Sequence, residues 1–426
     1  MTVNNTMENM SITEKWFAIA LWKRILTAMV IGALLGSVWG PGAGVIGWVG
    51  DLFIRLIRMI VVPLVFVTIV SGVVSMGDPS KLGSLGAKTL ILYMLTTLAA
   101  ITIGLILAAV FQPGVGVDLT GAPASALQET IPLSERLISI VPENPIAALA
   151  EGNILAIIFF AILIGVGLLS VGESGKPVAN FMDASCEVVL RITHWIMEIA
   201  PFGVFALIAR VTGAQGFDAL INAVVLAITV LIACAAHLSL THGVIIMQLM
   251  LKLSPINFFR GVREAMLVAF STSSSAATLP VSMSAAEDNL GVKPVVASTV
   301  LPLGATINMD GTALYVGIVS IFAAQAFNIE LTITDYLIMA GTTTLVSVGT
   351  AAVPSASLFL MAAVMETIGM TPQQIAVTVG FIFIIDRPLD MLRTSINIAG
   401  DLAVATAVAN WEGEFDREVF DRRQNS

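Results

Sequence analysis

Residues 89–111 read TLILYMLTTLAAITIGLILAAVF, a run without a single charge. At about 1.5 Å of rise per residue, a helix of that length crosses a hydrocarbon layer of roughly 30 Å. Lipid offers no water to peptide N–H and C=O groups, so such a segment satisfies its own backbone as a helix. Comparable stretches recur, and the whole chain follows them: of 426 residues 57% are apolar and 12% charged, with a mean hydropathy of +0.94. This is the composition of a polytopic, all-α membrane protein.

The formal charge of −9 comes with no basic run, so no nucleic-acid partner is expected. Cys186 and Cys234 sit in hydrophobic context without metal or redox spacing and read as small core residues. The opening residues lack a short apolar core followed by a small-residue cleavage site, so no cleaved signal peptide is expected. Basic residues orient the spans. Lys15, Lys23 and Arg24 precede a first span over about 25–38, flanked by Trp22 and Trp39, and place the start in the cytoplasm. A long tilted second span covers about 45–76, with Asp51, Arg55 and Arg58 on one face, and Lys81 and Lys88 mark the next inner loop. Residues 112–152 hold several acids and one arginine, Arg136, and read as external. A further span over 153–172 leads to Lys176 inside, then to an amphipathic segment with Arg191, Glu198 and Arg210. The stretch 219–251 titrates only at His237 and His242, which read as packed or hydrogen-bonded side chains with no carboxylate at ligand spacing.

Beyond residue 260 the alternation of spans fails. Residues 265–286 are apolar at both ends but carry STSSS and Pro280 in the middle, with basic residues on both flanks. A hairpin that enters and leaves by the cytoplasmic face resolves the conflict, its polar tip lining a protein cavity. Residues 337–365 repeat the form around SVGTAAVP, with no Lys or Arg on either flank, and predict a hairpin entering from outside. Each is followed by a helix interrupted by polar residues: TINMDGT at 306–312, then IIDRPLDMLRTSINIAGD at 384–401. Hairpin plus broken helix, twice and from opposite sides, predicts an inverted repeat with a site near mid-membrane.

In the second of these helices Asp386, Asp390, Arg393, Thr394, Asn397 and Asp401 share one face. Four aspartates (Asp310, Asp386, Asp390, Asp401) against Arg387 and Arg393 leave −2 in low dielectric, so some are protonated or cations bind. The oxygen-rich neighbourhood, without Cys or His, suits Na⁺. Arg393 offers a planar donor to a carboxylate and Asp390 an acceptor to an ammonium. With tip serines to hold a second carboxylate, an acidic amino acid is the best fit. Its charge of −1 brings the site to −3, so about three co-bound cations restore neutrality.

The combination of STSSSAATLP, NMDGT, SVGTAAVP and D-x-x-x-D-x-x-R-T-x-x-N-x-x-x-D resembles the dicarboxylate/amino acid:cation symporter family, over nearly the whole chain. That family includes archaeal aspartate transporters and mammalian excitatory glutamate transporters. The resemblance implies eight transmembrane helices, two re-entrant helical hairpins, a homotrimer among membrane lipids, and an elevator mechanism. It implies scaffold helices in 1–88 and, with the external loop, in 112–215. Moving parts would be helix 3 (89–111), helix 6 (216–253) and a core at 254–410, before a cytoplasmic tail at 411–426. Substrate contacts are implied for Ser274, Ser275, Thr312, Val353, Asp390, Arg393, Thr394 and Asn397. One Na⁺ site is implied at Gly304, Asn308, Asn397 and Asp401. A second is implied at Thr306, Met309, Ser347, Val348 and Thr350, and a third at Tyr93, Thr96, Thr97 and Asp310.

The chain departs from the pattern in places. An arginine found in archaeal members at the inner tip, or in mammalian ones just after the residue matching Asp390, is here replaced by Ser273 and Met391. Arg387, one turn before Met391, offers that charge from a new position, beside a helix-disturbing Pro388. Ala352, Ser355 and Ser357 replace common glycines of the outer tip, and Val316 replaces a proton-carrying glutamate. The expected function is Na⁺-coupled uptake of aspartate or glutamate at the cell inner membrane, without enzymatic activity and with no cofactor beyond the coupling ion. Proton-coupled glutamate or C4-dicarboxylate symport is the alternative. A channel, and an intramembrane serine hydrolase using STSSS with His237 or His242, are the rivals from other classes.

Overall fold

The computed structural model describes residues 16, 19, 21–75, 79–117, 119, 138, 141–215, 218–347 and 357–421. Helices α1 (Leu21–Trp39), α2 (Gly47–Ser75), α3 (Pro79–Phe111), α4 (Pro145–Glu151), α5 (Ile154–Val171) and α6 (Lys176–Gln215) make up the first half. The second half begins with α7 (Asp218–His237), which continues as π-helix through Leu238–Met250. It goes on with α8 (Pro255–Thr272), α9 (Ser275–Ser284), α10 (Pro294–Ile307), α11 (Asp310–Ala326), α12 (Ile333–Ser347), α13 (Ser357–Thr367), α14 (Pro372–Glu412) and α15 (Arg417–Asp421). No sheet forms among the described residues, where the only β contact is an isolated bridge between Val292 and Phe415.

Local chemistry sets the helix starts. Ser254 accepts the Asn257 N–H at 3.4 Å with Pro255 in the first helical position, and so opens α8. Thr371 and Gln374 form a reciprocal capping box ahead of Pro372 and open α14. Within helices, apolar composition does the rest. Five helical stretches among the described residues are long and apolar enough to cross a membrane: Lys23–Phe53, Leu85–Phe111, Phe159–Ile196, Ala223–Met250 and Pro294–Ala326. Large apolar side chains such as Val30, Leu34, Leu95, Leu163, Trp195 and Leu231 point outward, an arrangement that water would oppose and lipid favours.

Helix α6 packs along both α1 and α2, and α5 packs on α2, with ion pairs Arg24–Glu198 at 2.7 Å and Arg210–Asp51 at 2.9 Å tying α6 to α1 and α2. Helices α3 and α7 to α14 gather around α11 and α14. α11 is buried on nearly every side. The chain reverses between α8 and α9 at Ser273, which takes the left-handed conformation (φ 51°) and donates its N–H to Ala269 O at 2.8 Å. Ser274 then caps α9 by accepting the Ala277 N–H at 3.2 Å, and α9 packs back on α8. Past α14 the chain folds under the loop before α10. Asp416 N–H donates to Gly291 O at 2.7 Å, Lys293 N–H to Glu414 O at 3.0 Å, and Phe420 is buried beneath them.

One expectation is overturned. The segment 384–401 is not an interrupted helix: α14 runs unbroken for 41 residues, with Pro388 inside it. Proline removes one backbone donor, toward the carbonyl four residues earlier, without ending the helix. The break between α10 and α11 does occur, at Asn308 (φ −90°, ψ 86°) and Met309 (φ −112°, ψ 49°).

Candidate functional site

The polar face of α14 is turned wholly inward. Arg393 is 1% exposed and donates through Nη2 to Asp386 Oδ1 at 3.1 Å and Asp390 Oδ1 at 2.9 Å. Its guanidinium carbon lies 3.8 Å from the Tyr315 ring centroid, and Tyr315 Oη donates to Asp386 Oδ1 at 3.2 Å. Arg387 Nη1 donates to Asp390 Oδ2 at 3.1 Å. Asp390 thus carries one arginine on each oxygen, and these two aspartates and two arginines balance in charge. Three donor atoms are left over in the buried cluster: Nε and Nη1 of Arg393 and Nε of Arg387 have no hydrogen-bond partner among the described residues.

A second cluster forms where the α10–α11 break meets α14. Asn308 N–H donates to Gly304 O at 2.9 Å, and Asn308 Nδ2 to Asp401 Oδ1 at 3.0 Å. Asn397 Oδ1 accepts the Gly311 N–H at 2.8 Å, while Asn397 Nδ2 reaches Met309 Sδ at 3.2 Å. Glycine is required for this contact. A Cβ on Gly311 would stand 2.5 Å from the Arg393 carbonyl oxygen, so α11 can start against α14 only because that position has no side chain. Asp401 is 1% exposed and its Oδ2 has no partner among the described residues.

A third cluster surrounds Asp310. Its Oδ1 accepts from Thr97 Oγ1 at 2.8 Å, with Thr96 Oγ1 at 3.4 Å. His237 Nε2 and His242 Nε2 lie 3.2 Å and 3.4 Å from Oδ2. Both histidines are buried and His237 Nε2 is hydrogen-bonded, whereas neither ring nitrogen of His242 has a hydrogen-bond partner among the described residues; the carboxylate they face comes from a helix 73 residues beyond His237. Linear spacing carries no sign of that. Both imidazoles face Asp310, and no hydrogen bond joins either ring to a serine hydroxyl among the described residues. Tyr93 is buried and donates to Val300 O at 3.0 Å.

The remaining expected residues scatter in role. Thr394 Oγ1 donates to Asp390 O at 2.8 Å and Thr312 is buried at the start of α11. Ser274 serves as the α9 cap and Ser275 is buried beside it. Ser395 Oγ donates to Met266 O at 2.9 Å, which ties α8, and so the tip that follows it, to α14. Thr306 and Ser347 spend their hydroxyls on their own helices, toward Leu303 O at 3.1 Å and Thr344 O at 2.9 Å. Val348, Thr350 and Val353, with Ala352 and Ser355, lie outside the described residues. Tyr315 was not anticipated, because a tyrosine in an apolar helix reads as core until its ring is seen on Arg393.

Buried charge clusters set against an interrupted helix, inside a multi-pass helical membrane protein, define the class of secondary transporters. A family model described as the sodium:dicarboxylate symporter family matches residues 21–411, and the chain belongs to that family. It is similar to the proton/sodium-glutamate symport protein of Geobacillus stearothermophilus, at 34% identity over 94% of this chain and 96% of that protein. The proton/glutamate-aspartate symporter of Escherichia coli (strain K12) is 35% identical over 97% and 96%. The C4-dicarboxylate transport protein of Rhodospirillum rubrum is 32% identical over 95% and 91%.

Proposed function

We propose that this chain is a secondary symporter that takes up an acidic amino acid, aspartate or glutamate, coupled to inward Na⁺ movement. The observation that carries the reading is Arg393. A guanidinium held by two aspartates and a tyrosine ring, yet keeping donors without a partner among the described residues of a buried cluster, is a fixed recognition point for a carboxylate. Thr394, Asn397, Thr312, Ser274, Ser275 and Val353 complete the substrate site in this reading. Asp390 accepts the substrate ammonium after yielding one arginine, with Arg387 as the further charge at its edge. The unpaired oxygen of Asp401, with Asn308, Asn397 and the Gly304 carbonyl, takes one Na⁺. Met309, Thr306, Ser347, Val348 and Thr350 take another.

In the same reading residues 1–88 and 112–215 form a trimeric scaffold, while 89–111, 216–253 and 254–410 slide as a transport unit. The α8–α9 pair enters from the cytoplasm and the α12–α13 pair from outside, in an inner membrane with both termini cytoplasmic. The names of the relatives support symport of acidic substrates, and proton coupling is the second reading because several of those names include the proton. Purified protein in liposomes tests the choice. Labelled aspartate should accumulate with an inward Na⁺ gradient and not with a proton gradient in choline, and uptake indifferent to Na⁺ would overturn the coupling.

A further inference from the structure

Pairing removes Asp386 and Asp390 from the charge balance, since Arg387 and Arg393 neutralise them at 2.9–3.1 Å. Asp310 and Asp401 remain, and among the described residues neither pairs with a lysine or arginine. Their charge in low dielectric is left for bound cations to balance. The two oxygens of Asp310 face different chemistry. Oδ1 looks toward hydroxyls, Thr97 Oγ1 at 2.8 Å and Thr96 Oγ1 at 3.4 Å, which suit a hard ion such as Na⁺. Oδ2 looks toward His237 Nε2 at 3.2 Å and His242 Nε2 at 3.4 Å, and imidazole nitrogens suit transition metals. Helix winding makes this second side. Residues five apart on an α-helix point about 140° apart, but π-helical winding closes its hydrogen bonds at that spacing and stacks them. The π-helix begins directly after His237, so His242 comes round beneath it, with ring centroids 4.6 Å apart.

One ligand atom from each of His237, His242 and Asp310 falls within 4.8 Å of the other two, and all three side chains are wholly buried. A tetrahedral Zn²⁺ with bonds of about 2.0–2.1 Å separates its ligands by roughly 3.3–3.4 Å, and the two nitrogen–oxygen separations already match that spacing. His242 supplies the independent sign. A buried imidazole with neither nitrogen hydrogen-bonded among the described residues is costly, and a metal on Nε2 offsets that cost. The corner is also kept clear: a Cβ on Gly400 would stand 3.0 Å from Asp310 Oδ2 and 3.4 Å from His242 Cε1. We propose that His237, His242 and Asp310 Oδ2 form a binding site for a divalent transition-metal ion, with Zn²⁺ as its representative. The ion takes Nε2 of both rings, so each neutral imidazole carries its one hydrogen on Nδ1, and a fourth position is left to water. This side of the carboxylate is separate from the hydroxyls of Thr96 and Thr97, so the site adds to the oxygen-lined side and does not replace it.

The test loads purified full-length protein with Zn²⁺ alone, in choline buffer without Na⁺ or substrate, and reads affinity by competition with a chromophoric chelator. The chain has three histidines, and His194→Gln removes the exposed one, so this variant is the background for every measurement. It should bind one Zn²⁺ per chain, and adding His237→Gln or His242→Gln should weaken that binding at least tenfold. Absence of tight binding would overturn the proposal, as would equal binding with and without His242, which would mark an adventitious surface ion only. A second measurement needs no change at the site and holds even if the glutamine variants fail to fold. Zinc-edge X-ray absorption of the His194→Gln protein should show two imidazoles and an oxygen at about 2.0–2.2 Å. Zinc surrounded by oxygen alone would overturn the site. Neither measurement involves transport, so failure of Na⁺-driven aspartate uptake would sink the symport reading and leave the metal site standing.

Discussion

Asn308 Nδ2 donates to Asp401 Oδ1 at 3.0 Å across 93 residues of sequence, which joins the interrupted helix to the continuous one and leaves Asp401 Oδ2 without a partner among the described residues. A buried carboxylate with an unpaired oxygen is costly until a cation arrives. Asp401→Asn should therefore raise the thermal midpoint in Na⁺-free choline buffer by a few degrees and lower the Na⁺ slope of aspartate binding by about one. A midpoint that falls, or a slope that holds, would count against Asp401 as a cation ligand.

Arg393→Cys removes the donor assigned to the substrate carboxylate. Charge-assisted hydrogen bonds of about 2–3 kcal/mol correspond to a loss of aspartate affinity of roughly 30- to 150-fold. Competition by neutral amino acids should improve relative to aspartate in the same variant. An unaltered competition series would remove Arg393 from the substrate site.

Asp390 holds Arg387 and Arg393 at once. Asp390→Asn strips both of a buried counter-charge and should cost about 3–5 kcal/mol of stability, seen as a lowered midpoint in detergent. Adding Arg387→Met should restore part of that loss, because one stranded charge goes with it. If the double variant is no more stable than the single, the arginines are not coupled through Asp390.

Gly311→Ala places a methyl group 2.5 Å from the Arg393 carbonyl oxygen. Backbone must shift to admit it, at about 1–3 kcal/mol, and aspartate affinity should fall with the midpoint because the same shift moves Arg393. Gly44→Ala, with nothing within 4 Å of the added carbon, is the matched control and should leave binding unchanged.

The sequence makes the helical membrane class legible through its long uncharged runs, and the stripe from Asp386 to Asp401 through helical periodicity. It also shows the break at Asn308, where a polar NMDG run interrupts an apolar helix. What it hides follows from distance and winding. Pro388 and its polar neighbours look like an interruption, yet their charges pair with one another and the helix continues. His237 and His242, five apart, fall on different faces of an α-helix, and only the switch to π-helix turns them together. Tyr315 and Arg393 meet across helices, which no local pattern encodes.

The unbroken run of α14 has a mechanical meaning. Its 41 residues span about 60 Å, roughly twice a hydrocarbon layer, and Asp386 and Asp401 stand about 22 Å apart along the axis. The arginine cluster and the Asp401 carboxylate are therefore two marks on one stiff rod, and their spacing is held by consecutive backbone hydrogen bonds. Ligands binding at the two marks must communicate by displacing this rod or by rearranging what leans on it, since the distance between them is not free to change.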